Sequence, residues 1–121
     1  MPEFTNPFIG KLPDQKLTMG ELLRALRLDL AAEHEAVHVY MAHADATDHP
    51  LAKKVLTDIA NEERIHAGEF ARLIGILASD EDNFLAQGAK EVDELASELS
   101  DPEVEMKLEK EEDVTIGSLK K

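Results

Sequence analysis

Glu33, Glu63 and His66 are the residues whose types and spacing best suit chemistry in this 121-residue chain. Glu63 and His66 form Glu-x-x-His, an i, i+3 pair whose side chains share one face of a helix. Around Glu33, apolar residues recur at Leu22, Leu26, Leu30, Val37, Tyr40 and Ala44, and Glu33 fills the widest gap in that stripe. A second stripe runs through Val55, Ile59, Phe70, Leu73 and Leu77, and Glu63 and His66 fill its gap. Each helical stretch therefore carries ionisable groups in the middle of its apolar face. A buried, unpaired carboxylate is costly, so such groups are paired, hydrogen-bonded or metal-bound.

Carboxylate oxygens combined with imidazole suit Fe(II), Mn(II) or Zn(II). In di-iron carboxylate bundles two helices supply one Glu each and two supply Glu-x-x-His. This chain holds half of that set. Two copies related by a two-fold axis would bring together four carboxylates and two imidazoles. The alternative is a buried Glu–His pair, or a Glu–Arg pair using Arg64 or Arg27.

Other ionisable residues fit less well. His34 and His38 are i, i+4 and could hold a metal, but they lie off the stripe beside Glu35, where solvated or interface histidines are also common. Glu35 stands about 200° round the helix from Glu33, so the two cannot share a site within one subunit. It could belong to a second, cation-uptake site of an oligomer. Glu62, about 100° from Glu63, reads as a neighbour of the site or as surface. Tyr40 could hydrogen-bond a ligand or simply fill the core. His43, Asp45 and His49 fall near a turn and read as surface. No Ser-His-Asp set, phosphate loop or dinucleotide fingerprint occurs.

These residues need long helices to position them. Thr18 with Glu21 forms a capping box, and the helical pattern runs from there to about Thr47. Asp48-His49-Pro50 marks a boundary with a cap and a Pro suited to a first helical position. A second helix runs to about Ala78. Both have about 29 residues, roughly 43 Å, and a short link makes them an antiparallel hairpin. A shorter third helix is expected from about Glu81 to Leu99, with Leu85, Val92, Leu95 and Leu99 on one side and Gly88 weakening it. Residues 1–17, with Pro2, Pro7 and Pro13, read as an extended arm. The expected organisation is thus an arm over 1–17, a helical domain over 18–100, an acidic linker over 101–113 and a terminal segment over 114–121.

Composition agrees with an all-α protein. The hydrophobic set is 43%, aromatics are 4%, and Ala and Leu dominate. With no cysteine, disulfides, Fe–S clusters, thiolate zinc sites and cysteine nucleophiles are excluded within this chain. The net charge of −13 disfavours binding to nucleic acid or anionic lipid and attracts cations. No apolar run approaches membrane-spanning length and no secretory pattern opens the chain, so a cytoplasmic protein is expected. Residues 80–113 hold fourteen acids and three bases and are the most acidic part. Within them, 103–113 read as too acidic and too poor in apolar residues to fold alone. Beyond them, Val114, Ile116 and Leu119 suit a docking peptide entering pockets on a partner, or a frayed terminus.

The chain resembles the encapsulated ferritins, the ferritin-like cargo of encapsulin nanocompartments. The resemblance covers about residues 18–100, through Glu33-His-Glu35-Ala-Val-His-Val-Tyr40 and Glu62-Glu63-Arg-Ile-His66, and the tail Thr115-Ile-Gly-Ser-Leu-Lys-Lys121 looks like the peptide that docks in the shell. It implies a two-helix subunit that dimerises into a ferritin-like four-helix bundle, with dimers closing into a ring-shaped decamer. It also implies a ferroxidase that oxidises Fe(II) with O2 at a di-iron site shared across the dimer and delivers iron for storage inside the shell. Glu33, Glu63 and His66 match the family's metal ligands, Glu35 matches an acid of its uptake site, and Tyr40 matches an aromatic near the metals. Ala32 and Val39 depart from it, standing where better-known members carry an acid and a Trp. Two rival readings use the same residues differently. A rubrerythrin-like peroxidase would share the ligands but calls for an attached thiolate iron domain. A non-catalytic scaffold or metal-binding cargo would hold Glu63 and His66 in a buried ion pair.

Overall fold

A computed structural model describes residues 15–99 and 101–119, with side chains through residue 111. Four helices follow one another: α1 (Met19–Ala46), α2 (Pro50–Leu77), α3 (Glu81–Ser97) and α4 (Pro102–Leu119). Among the described residues there is no strand, and no helix is long and apolar enough to cross a membrane. The chain divides between Ser79 and Asp80 into two compact units, α1 with α2 and α3 with α4. So α3, expected in one domain with the hairpin, groups with α4.

The two long helices start where local chemistry dictates. The Glu21 amide donates to Thr18 Oγ1 at 3.1 Å and the Thr18 amide donates to Glu21 Oε1 at 2.9 Å, completing the capping box. That charge-assisted hydrogen bonding, backbone first and side chain second, holds the Glu21 carboxyl below its ordinary pKa. At the turn, His49 caps α2 by accepting from the Ala52 amide through Nδ1 at 3.3 Å, and Pro50 occupies the first turn. Lys53 Nζ donates to the Ala44 carbonyl at 3.1 Å and ties the end of α1 to the start of α2.

The seam between α1 and α2 is narrow. Leu26, Ala44, Ala60, Ala67 and Ile74 are its buried residues. The expected α1 stripe is in place, with Leu22, Leu30, Glu33, Val37 and Tyr40 half-buried and Leu26 and Ala44 buried. On α2 the expected line is half-buried at Phe70 and Leu77 and requires correction at its other three positions. Val55, Ile59 and Leu73 stay exposed, at 46%, 37% and 40%, while Ala60, Ala67 and Ile74 face α1. A single neighbouring helix covers one line of α2, and the small alanines let the backbones approach closest. The larger residues are left along one flank, and Leu51, Ile65 and Ile76, each at least 60% exposed, face further from the seam. An apolar surface this extensive has no counterpart within the hairpin to cover it.

The acidic stretch also differs from expectation. Of residues 101–113, read as a linker, all but Asp101 lie in α4 rather than in an unfolded tether. Asp101 caps it, its Oδ1 accepting from the Glu103 amide at 2.9 Å and the Val104 amide at 3.5 Å, and Pro102 takes the first position. Glu103 and Glu105 sit at the positive end of the helix dipole, and Lys107 pairs with Glu111 at 3.5 Å one turn on. Local helix propensity and capping thus outweigh the shortage of apolar residues. The helical backbone continues to Leu119, past the start of the expected docking segment. Residues 1–14 of the expected arm, the side chains of 112–119, and residues 120–121 lie outside the described residues.

Candidate metal centre

Glu33 and Glu63 lie near the midpoints of two 28-residue helices, so an antiparallel hairpin brings them level with each other. His66 follows Glu63 by one turn on the same face of α2. The imidazole sits between the two carboxylates, with Nδ1 at 3.6 Å from Glu33 Oε2 and 3.5 Å from Glu63 Oε2. One donor atom from each of the three residues lies within 4.8 Å of the others. No other group of three or more such side chains is assembled among the described residues.

The electrostatics are those of an acceptor-rich cluster. Glu33 Oε2 is buried and has no hydrogen-bond partner, because the nearest imidazole nitrogen is beyond hydrogen-bonding range. Hydrogen bonding with the Glu63 carboxyl, then burial, then the like charge of Glu63 raise the Glu33 pKa, and His66 offsets only part of this. For His66, partial burial works against the imidazolium. The charges of Glu33 and Glu63, the hydrogen bond to Glu63 and the charge of Glu69 outweigh it, and its pKa stands above the ordinary value. A cation between these groups would supply the orphaned oxygen with a partner and relieve the carboxylate repulsion. Two carboxylates and one imidazole also form the donor set that suits Fe(II) and similar ions.

The cluster opens on the flank of the hairpin. Glu33 and His66, with Glu69, Phe70 and Leu73, line a shallow pocket of about 410 Å³, and the His66 side chain is 48% exposed. A single chain offers three donor side chains beside a pocket open to the outside.

Of the residues singled out in the sequence, Glu33, Glu63 and His66 come together. Glu35 and Glu62 are exposed and outside the cluster, and Tyr40 is half-buried on the α1 stripe. His34 and His38 line a different groove. Arg64, considered as a partner for Glu63, donates instead to Asn61 Oδ1 at 3.5 Å. Glu69 was missed by sequence reasoning, although its i+3 spacing from His66 extends Glu63-x-x-His66 by one more turn on the same face.

Comparison with known proteins places the chain in a family. The rubrerythrin family model matches residues 24–117. Over 77 residues, 64% of this chain, the sequence is 47% identical to the encapsulin nanocompartment cargo protein EncC of Myxococcus xanthus. Over 82 residues, 68% of this chain, it is 37% identical to a ferritin-like-encapsulin shell fusion protein of Pyrococcus furiosus. These matches span 58% and 24% of the two relatives. The crystal structure of the encapsulated ferritin domain from Pyrococcus furiosus superposes with a TM-score of 0.70 at 35% identity, covering 76% of this chain and 93% of that one. The chain belongs to the rubrerythrin family of ferritin-like proteins and, within it, to the encapsulated ferritins.

Proposed function

We propose that this protein is a ferroxidase whose centre is completed by a second copy of the chain. The observation that carries the reading is the meeting of Glu33, Glu63 and His66 around a buried carboxylate oxygen without a hydrogen-bond partner, on a flank open to the outside. Two such flanks facing each other across a two-fold axis supply four carboxylates and two imidazoles for two iron ions. The exposed line of Val55, Ile59 and Leu73 beside the cluster provides the apolar surface that such pairing would cover.

In this reading Fe(II) is the substrate and O2 the electron acceptor. Glu33 and Glu63 release their protons on binding, and their anionic oxygens favour the higher charge of Fe(III) over Fe(II). His66 gives up its proton and offers a neutral nitrogen. Glu35 acts in cation uptake at the surface, and Tyr40 and Glu62 flank the centre without holding metal. The dimers assemble into a ring, a decamer by the family pattern. Residues 114–121 dock the assembly inside an encapsulin shell in the cytoplasm, where the oxidised iron is stored. A hairpin without a large cavity leaves mineral storage to that shell.

The rival scaffold reading makes the same cluster a structural ion pair. Stopped-flow oxidation of Fe(II) by the assembled full chain and by Glu63→Ala separates the two. The ferroxidase reading expects rapid oxidation by the unmodified chain and the buffer rate for the variant, with helix content unchanged. Loss of helix content in Glu63→Ala, or an unmodified chain no faster than buffer, contradicts it.

A further inference from the structure

We propose that His34 and His38 form a second metal site, selective for Zn(II) or Cu(II), on the opposite side of the α1–α2 seam from the Glu33–Glu63–His66 cluster. The residues 34–38 read His-Glu-Ala-Val-His, and two histidines at i, i+4 on a helix present both imidazoles to one ion. At that spacing the Cβ atoms lie about 5–6 Å apart, within reach of a common tetrahedral ion.

The structure gives this pair a place to act. His34 and His38 are both exposed and both line a groove of about 510 Å³ along the hairpin. That groove shares no residue with the pocket at the carboxylate cluster. Its floor includes Leu30, Val37 and Gly68, and a Cβ built on Gly68 would meet nothing within 4 Å. Space therefore remains for the water molecules that must complete the coordination of an ion held by two side chains. Arg64 is the one cationic residue on the lining, and its guanidinium donates to Asn61.

The donor chemistry separates the two sites. Glu33, Glu63 and His66 offer mainly anionic oxygen, which suits Fe(II). His34 and His38 offer nitrogen alone, which suits Cu(II) and Zn(II) and gives little hold on a hard, carboxylate-preferring ion. Glu35, although it stands between the histidines in sequence, does not line the groove, and the proposal is for binding and not for hydrolysis.

Zn(II) titrated calorimetrically into the metal-free full chain tests this, with the double variant His34→Gln/His38→Gln and with Glu63→Ala. The expected result is a class of Zn(II) site that weakens at least tenfold in the double variant and persists in Glu63→Ala. Superimposable isotherms for the double variant and the unmodified chain would overturn the proposal, as would a class of site lost in Glu63→Ala instead. Electron paramagnetic resonance of Cu(II) bound to His66→Ala gives an independent readout. Coupling to two imidazole nitrogens that disappears on adding His38→Gln supports the site, and unchanged coupling refutes it.

Discussion

Glu33→Gln asks whether the central cluster exists to hold metal or to hold the hairpin together. Gln keeps the size and shape of the side chain while removing its charge. In the metal-free protein, Glu33 has a buried oxygen with no hydrogen-bond partner, and its pKa is raised chiefly by hydrogen bonding with Glu63 and by burial. The charged form is therefore disfavoured in the fold, and the amide should leave the metal-free chain more stable. Metal binding should move the other way. In a two-fold centre, one substitution removes two of six donors, one at each ion. Loss of residues that merely orient ligands weakens metal sites by about 10–100-fold, so loss of a direct ligand at each ion should reach at least ~100-fold. Thermal melting followed by circular dichroism, with a chelator and then with Fe(II) under anaerobic conditions, reads both effects. The expected result is a higher melting temperature for metal-free Glu33→Gln and no further rise on adding iron, where the unmodified chain gains stability by mass action. A metal-free variant that melts lower than the unmodified chain would refute the reasoning, because it would make the Glu33–His66 contact structural.

Gly68→Ala should stabilise α2 by about 1 kcal/mol, since the added methyl meets nothing and glycine is costly inside a helix. A lower melting temperature would instead reveal another chain packed in that groove and remove the room the proposed Zn(II) site needs. The metal-free chain should lose stability as pH rises through the raised pKa values of Glu33 and His66, beginning above their ordinary values of 4.5 and 6.5, because both groups bind protons more tightly in the fold than when unfolded. Glu21 acts oppositely, contributing stability that is lost only as pH falls through its lowered pKa. Melting temperatures that climb with pH above 4.5 without metal would contradict this assignment. Deleting residues 114–121 should leave Fe(II) oxidation unchanged and prevent co-assembly with an encapsulin shell, measured by co-purification; normal loading would refute the docking role.

Much of the hairpin was legible because its signals are local. Thr18 and Glu21, then His49 and Pro50, set helix ends through contacts spanning three residues, and those contacts form as expected. Glu33, Glu63 and His66 were legible for a different reason, since each falls in a gap of an apolar stripe, and the hairpin brings the three together. The α2 stripe was misread because periodicity weights large side chains. Ala60 and Ala67 mark the seam, and the larger Val55, Ile59 and Leu73 stay exposed. Glu69 escaped because the spacing was not followed one turn beyond His66, where the fold sets it on the same pocket. The α4 helix escaped because charge density was weighed above the Asp101 cap, Pro102 and the Lys107–Glu111 pair.

The claim that the centre is shared between two chains is tested most directly by iron content and solution mass on the same anaerobically loaded sample. The account predicts about one iron per chain, found only in particles containing an even number of chains, and lost together with rapid oxidation in Glu63→Ala. Tight iron binding by a single chain at the same ratio would contradict it, and so would a well-folded oligomer that binds no iron.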